Sequence, residues 1–318
     1  MICIRVVGGL GNQMFGYAAA VALKERTGAD RLVVDRSLCA PERGATEEGL
    51  AERPFELDGF ALSAEIADGA PFGKTIRIRK DSRRRGAHLA GLRLARAAGM
   101  RPVPFYCERR DLGFDPLFSR LPDDSMIQGC FPSHRYFGEY EEAVRAEFVA
   151  REPLPDSLGR LLEAMRGCES VAVHVRCGDY LTSAKTRKLL GICSDRYYLR
   201  AAERMRAELP DVRFFVFSDD VERVRREPWT DALGADAVFV EGVAGCGPVA
   251  DLTLMSRCRH QVVANSTFSW WAAWLNENEK KRIVAPSPAY DGTGLKDDDF
   301  YPSEWIRLAK RSGEEVGR

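Results

Sequence analysis

Apolar and polar positions trade between short β-branched runs and longer helical stretches, most regularly in the second half of the chain. There the pattern predicts helix 157–167, strand 170–175, helix 195–208, strand 213–218 and helix 221–226. It goes on with strand 237–241, helix 248–258, strand 261–264, helix 268–276 and strand 282–285. Short hydrophobic strands spaced by helices point to a parallel, doubly wound sheet. The first segment reads strand 3–7, glycine turn 8–13 and alanine-rich helix 14–24, followed by an apolar run Leu32-Val33-Val34 that ends in Asp35. This is a β-α-β opening. One more strand is expected over 125–131 and a helix over 136–148, while 41–71 reads as loops and short pieces. Pro153 and Pro155 mark a linker, so the boundary is placed near residue 150, giving domains 1–150 and 151–318.

At 318 residues the chain is long enough for two domains with a cleft between them. Its 47 basic and 47 acidic residues cancel, which argues against wholesale nucleic-acid binding. No signal-peptide pattern or long apolar span is present, so a cytoplasmic location is expected. Nine cysteines without C-x-x-C spacing read as free thiols, and four unpaired histidines give no metal-ligand pattern, so neither a metal nor a cofactor is expected. Between Lys74 and Arg101 ten basic residues face one acid, Asp81. Its second half, Ala87 to Arg96, is compatible with a basic amphipathic helix, which raises peripheral contact with the inner membrane face.

Chemistry concentrates at strand ends. The run His174-Val175-Arg176-Cys177-Gly178-Asp179-Tyr180 follows an apolar strand, and alternation puts His174 and Arg176 on one face. Arg176 suits a diphosphate, whose oxygens its planar fork can bind in pairs; a structural salt bridge to Asp179 explains it equally well. Near the other end, Asn265-Ser266-Thr267 stands between a strand and a helix. Capping needs one such residue, so Ser266 and Thr267 are read as phosphate ligands. Trp270, Trp271 and Trp274, at helical spacing, are read as core. Asp219-Asp220 is read as helix capping in preference to a metal site. Gly8-Gly9-Leu10-Gly11-Asn12-Gln13 leaves open a ligand-binding turn or a plain tight turn with Asn12 as cap. With Asp35 about where a ribose-binding acid would stand, it makes an NAD(P)-dependent oxidoreductase the natural competitor.

Taken together, Gly8 to Phe15, His174 to Tyr180, Ser218-Asp219-Asp220, Asp251 to Trp274 and Tyr301-Pro302-Ser303-Glu304-Trp305 resemble the α-1,2-fucosyltransferases of glycosyltransferase family 11. The chain departs from the family's pattern at Cys177, where a second arginine is usual, and at Gly16, where a glutamine is usual. The resemblance implies an α/β, GT-B-like architecture of two Rossmann-type domains facing a cleft, the second binding GDP-fucose and the first contributing acceptor contacts. It implies inverting, metal-independent transfer of L-fucose from GDP-β-L-fucose to the 2-hydroxyl of a galactose-containing oligosaccharide or lipid-linked glycan. By similarity to protein O-fucosyltransferases, Asp251 would recognise guanine, while Ser266, Thr267 and Phe268 would contact phosphate beside the Gly11 turn. Arg176 would stabilise the leaving diphosphate and His174 would orient nearby groups. Asn12 would stand near the reacting centre, and Asp179 would brace the loop or act as base. A non-catalytic sugar-nucleotide or glycan-binding protein is the remaining alternative.

Overall fold

The computed structural model describes residues 1–40, 44–45, 51–78, 85–109, 111–178, 183–242, 247–292 and 294–316. Two compact units divide the chain, Met1–Arg151 with Gly294–Phe300, and Glu152–Thr293 with Tyr301–Arg318.

In the first unit the strands are β1 (Ile2–Arg5), β2 (Leu32–Asp35), a short antiparallel pair β3 (Gly44–Ala45) and β4 (Ala51–Glu52), then β5 (Glu65–Ala67), β6 (Ile76–Ile78), β7 (Pro104–Cys107) and β8 (Ser125–Gln128). A six-stranded parallel sheet runs β5-β2-β1-β8-β7-β6. The helix after β1 spans Leu10–Thr27, beginning inside the glycine segment rather than at Met14. Gly9 is its extended N-cap and makes no side-chain cap bond, so Asn12 lies in the first turn and is not the cap. Every residue from Gln13 to Leu23 is buried, which is why this stretch carries little amphipathic signal. The strand expected over 125–131 stops at Gln128, because Gly129 and Phe131 turn the chain at φ of 152° and 52°. The helix expected over 136–148 is instead two 3-10 turns, His134–Tyr136 and Gly138–Tyr140, followed by the helix Glu141–Glu147.

The second unit carries β9 (Glu169–Val175), β10 (Val212–Ser218), β11 (Val238–Val240), β12 (His260–Val262), β13 (Ile283–Ser287) and β14 (Ile306–Ala309). They form a six-stranded parallel sheet in the order β11-β10-β9-β12-β13-β14. The chain builds outward from β9 to one edge, then returns to build outward from β12 to the other. The topological switch point therefore lies between the carboxyl ends of β9 and β12, where open α/β sheets bind their ligands. Valines of β9, Phe214 and Val216 of β10, and Tyr197, Ala201 and Met205 of the helix Asp195–Glu208 share one core. Trp270, Trp271 and Trp274 are buried as core side chains. The strand β14 and the helix Ala184–Leu190 are additions to the elements expected from the sequence.

The basic segment contains the helix Arg85–Ala97. It turns Leu89 and Leu92 into the protein, so its apolar side is largely spent on packing, and Leu94 is left exposed. Arg96 is ion-paired with Asp123 and Asp124, and Arg101 lies 3.7 Å from Asp124. Arg79, Lys80, Asp81, Arg83 and Arg84 lie outside the described residues. Among the described residues no helix is long and apolar enough to cross a membrane.

Candidate active site

β9 delivers His174 within its last two residues and Arg176 just past its end. His174 is only 5% exposed. Burial, and secondarily the positive charge of Arg176, lowers its imidazole pKa to about 3, so the ring is neutral near pH 7. Its Nδ1 is buried and makes no hydrogen bond among the described residues. Its ring lies 5.7 Å from that of Phe268, in the first turn of the helix Thr267–Leu275, and Tyr198 donates its hydroxyl to the His174 carbonyl at 3.3 Å. The sheet thus brings the strand-end pair and the helix start after β12 together at the switch point.

At that helix start the three polar residues divide their work. Asn265 donates its side-chain amide to the carbonyls of Leu190, Gly191 and Ala289, fixing the surrounding loops. Ser266 is the N-cap and accepts from the Phe268 amide at 3.3 Å. Thr267 opens the helix, where the dipole's positive end favours an anion. Asp251 is half-buried on the helix Gly247–Arg257, with Gly242 close to its carboxylate.

Arg176 bonds through Nη1 to Asp219 Oδ2 at 2.7 Å. Parallel pairing sets Ser218 against Val175, so the residue after each strand meets the other. Asp219 therefore does something other than cap a helix. Asp220 alone caps the helix Val221–Val224, accepting from the Arg223 amide at 3.1 Å. Asp179, the alternative salt-bridge partner raised by the sequence, lies outside the described residues. The Asp219 pairing was missed because strand register, absent from local sequence pattern, is what juxtaposes the two loops.

Cys177 turns away from Arg176 into the core cluster and is 5% exposed. Burial pushes its thiol pKa up, and Ser218 donates its hydroxyl to the sulfur at 3.7 Å. A second arginine at 177 would have to enter this apolar packing.

In the first unit Gly8, at φ 77°, packs under Asn12: a Cβ there would stand 2.6 Å from Asn12 Nδ2. Gly11 is buried in the first turn of the helix. The Leu10 amide is taken by Glu56 Oε2 at 2.8 Å. Gln13 holds the Glu56 segment in place, donating to the Gly8 and Pro54 carbonyls and accepting from the Glu56 amide. Asp35 is fully buried and accepts from Arg5 Nε at 2.7 Å and from the Ser37 amide at 3.0 Å. A dinucleotide would need this helix start for its pyrophosphate and this acid for its ribose. Both are engaged by the protein itself, which removes the physical basis of the oxidoreductase reading.

The model of glycosyl transferase family 11 matches residues 118–309, well over half of the chain. An O-antigen biosynthesis glycosyltransferase, WbnK, of Escherichia coli is 30% identical over 95% of this chain and 98% of its own length. The chain belongs to glycosyltransferase family 11. It is also similar to an α-1,2-colitosyltransferase of Escherichia coli, 29% identical over 98% of this chain and 99% of that protein. In fold it is similar to NodZ α-1,6-fucosyltransferase in a crystal soaked with GDP-fucose, with TM-score 0.50, 18% identity, and coverage of 91% of this chain and 95% of that one. The two parallel-sheet, Rossmann-like units are those of a GT-B glycosyltransferase, and membership of the family makes the chain a sugar transferase of the fucosyltransferase type.

Proposed function

We propose that the chain transfers L-fucose from GDP-β-L-fucose to the 2-hydroxyl of a galactose-containing glycan, with inversion, to give an α-1,2 linkage without a metal ion. The second unit binds the donor and the first contributes the acceptor side. The observation that carries this reading is Arg176 at the switch point, beside a neutral, buried His174 and the helix start at Thr267. In the reaction the bond between the fucose anomeric carbon and the β-phosphate oxygen breaks. The galactose 2-oxygen bonds to that carbon and loses its proton. Negative charge grows on the diphosphate, where Arg176 and the Thr267 amide stabilise it. His174, being neutral, adds a hydrogen-bonding atom without a competing charge. Phe268 packs against that imidazole, Ser266 holds the helix start in shape, and Asp251 recognises guanine. Gly11 keeps the turn compact, Asn12 places a reactant near the reacting centre, and Asp179 serves as loop brace or base. Asp219 and Asp220 are committed to Arg176 and to a helix cap, which leaves the adjacent acids no role in holding a metal ion.

The similarity to an α-1,2-colitosyltransferase favours a second reading, in which the sugar transferred from a GDP-linked donor is colitose. Release of GDP from either donor with a lactose-type acceptor, in wild type and Arg176→Ala, tests both readings. A charge-assisted contact contributes about 1.5–3 kcal/mol, so GDP affinity in the variant should fall by about 10- to 100-fold. Near-wild-type turnover by Arg176→Ala would sink the assigned role. Thermal stabilisation by GDP and not by NAD(P) is expected, and the absence of any GDP release would support the non-catalytic alternative. The basic segment 74–101 is proposed as a peripheral contact with the inner membrane face of a cytoplasmic enzyme, and flotation with anionic liposomes tests it.

A further inference from the structure

We infer that Asp219 is the positioning residue of the site: it fixes the guanidinium of Arg176, and Gly178 is glycine because the carboxylate occupies the space of its side chain. The inference rests on the reading that Arg176 grips the donor diphosphate. Both carboxylate oxygens of Asp219 reach back to the β9 turn. Oδ2 accepts from Arg176 Nη1 at 2.7 Å, and Oδ1 accepts from the Cys177 amide at 2.8 Å. One side chain thereby sets the arginine's fork and the backbone from which it springs. The strand register supplies this without any long connection, since Ser218 pairs with Val175 and the next residue on each strand is the one that meets the other.

Gly178 completes the arrangement. It sits at φ 21°, and a Cβ built on it would lie 2.4 Å from Asp219 Oδ2 and 3.6 Å from Arg176 Cζ. Any side chain at 178 would drive the carboxylate off the arginine, so the glycine is a steric requirement of the pair. Neutral Cys177 in place of a second cation leaves Arg176 as the charged group of positions 176–178. A carboxylate beside it also opposes an incoming diphosphate. Positioning therefore raises turnover through alignment while doing little for, or slightly weakening, ground-state binding.

The test is a double-mutant cycle on purified full-length protein, with kcat from GDP release and Kd for GDP by calorimetry. Asp219→Asn keeps an oxygen for the Cys177 amide and removes the charge. Its kcat should fall by about 10-fold or more while Kd for GDP stays within about 3-fold of wild type or tightens. In the Arg176→Ala background the same substitution should change kcat by less than about 2-fold, because the residue it serves is gone. Gly178→Ala should reproduce the Asp219→Asn pattern in an independently folded variant, and Asp219→Glu should restore part of kcat. The inference is overturned if Asp219→Asn leaves kcat near wild type, if its loss is as large without Arg176 as with it, or if kcat and Kd collapse together with the melting temperature. Should Arg176→Ala itself turn over and bind GDP like wild type, the reading of Arg176 fails instead, a different outcome from any of these.

Discussion

Replacing His174 with glutamine should flatten the acid side of the stability curve. The imidazole is 5% exposed and stands beside Arg176, and its pKa is lowered from 6.5 to about 3. Below pH 6.5 the unfolded chain takes up a proton that the folded chain refuses until about pH 3, so stability is lost as pH falls across that window. Each pH unit inside the window costs about 1.4 kcal/mol, so lowering the pH from 6.5 to 5 removes about 2 kcal/mol. All five tryptophans, Trp229, Trp270, Trp271, Trp274 and Trp305, lie in the second unit with His174, so their fluorescence follows that unit's unfolding. Urea melts of wild type and His174→Gln at pH 7, 6 and 5 give the difference directly, and the other titrating groups cancel between the two proteins. Wild type should lose about 2 kcal/mol more than the variant over this range. Parallel pH slopes would refute a neutral, buried His174.

Gly16→Gln, which installs the residue usual in the family, should destabilise the first unit by about 1–3 kcal/mol in far-ultraviolet circular dichroism melts. A Cβ at that position would stand 3.0 Å from the Gly129 carbonyl oxygen and 3.4 Å from Ile4 Cδ1, so the longer side chain has no room. Lys310 is 1% exposed, bonds to Asp291 at 2.6 Å and donates to the Leu190 carbonyl; Lys310→Met leaves Asp291 only its 3.4 Å pairing with the exposed Arg311 and should cost about 1–3 kcal/mol in tryptophan-monitored urea melts. Chelation with EDTA should leave turnover unchanged, since the proposed mechanism assigns charge stabilisation to Arg176 and the Thr267 helix start, and restoration of a lost activity by Mn²⁺ or Mg²⁺ would contradict this.

Most of the second sheet was legible because β9, β10, β12 and β13 are buried on both faces and read as apolar runs separated by amphipathic helices such as Asp195–Glu208, whereas the half-buried edge strand β14 gave no such run. The first unit was less so. Its strands β5 to β7 are short, and β6 spells Ile-Arg-Ile, too brief for a period to emerge. Of the site, the positions of Arg176 and Ser266 followed from strand ends and capping chemistry. The pairing of Arg176 with Asp219 did not, because it depends on which strands are neighbours and in what register. Asp35 misled for a related reason: its spacing from the glycine turn fits a ribose-binding acid, whereas its full burial against Arg5 is a tertiary fact.

The measurement that bears most directly on the account is the linkage of the product formed from GDP-β-L-fucose and a galactose-terminated acceptor, determined by NMR on the isolated oligosaccharide. One new α-linked fucose on the galactose 2-oxygen is expected, formed by wild type and strongly reduced with Arg176→Ala. A product linked at another hydroxyl, a β-linked fucose, or equal product from the Arg176→Ala enzyme would contradict it.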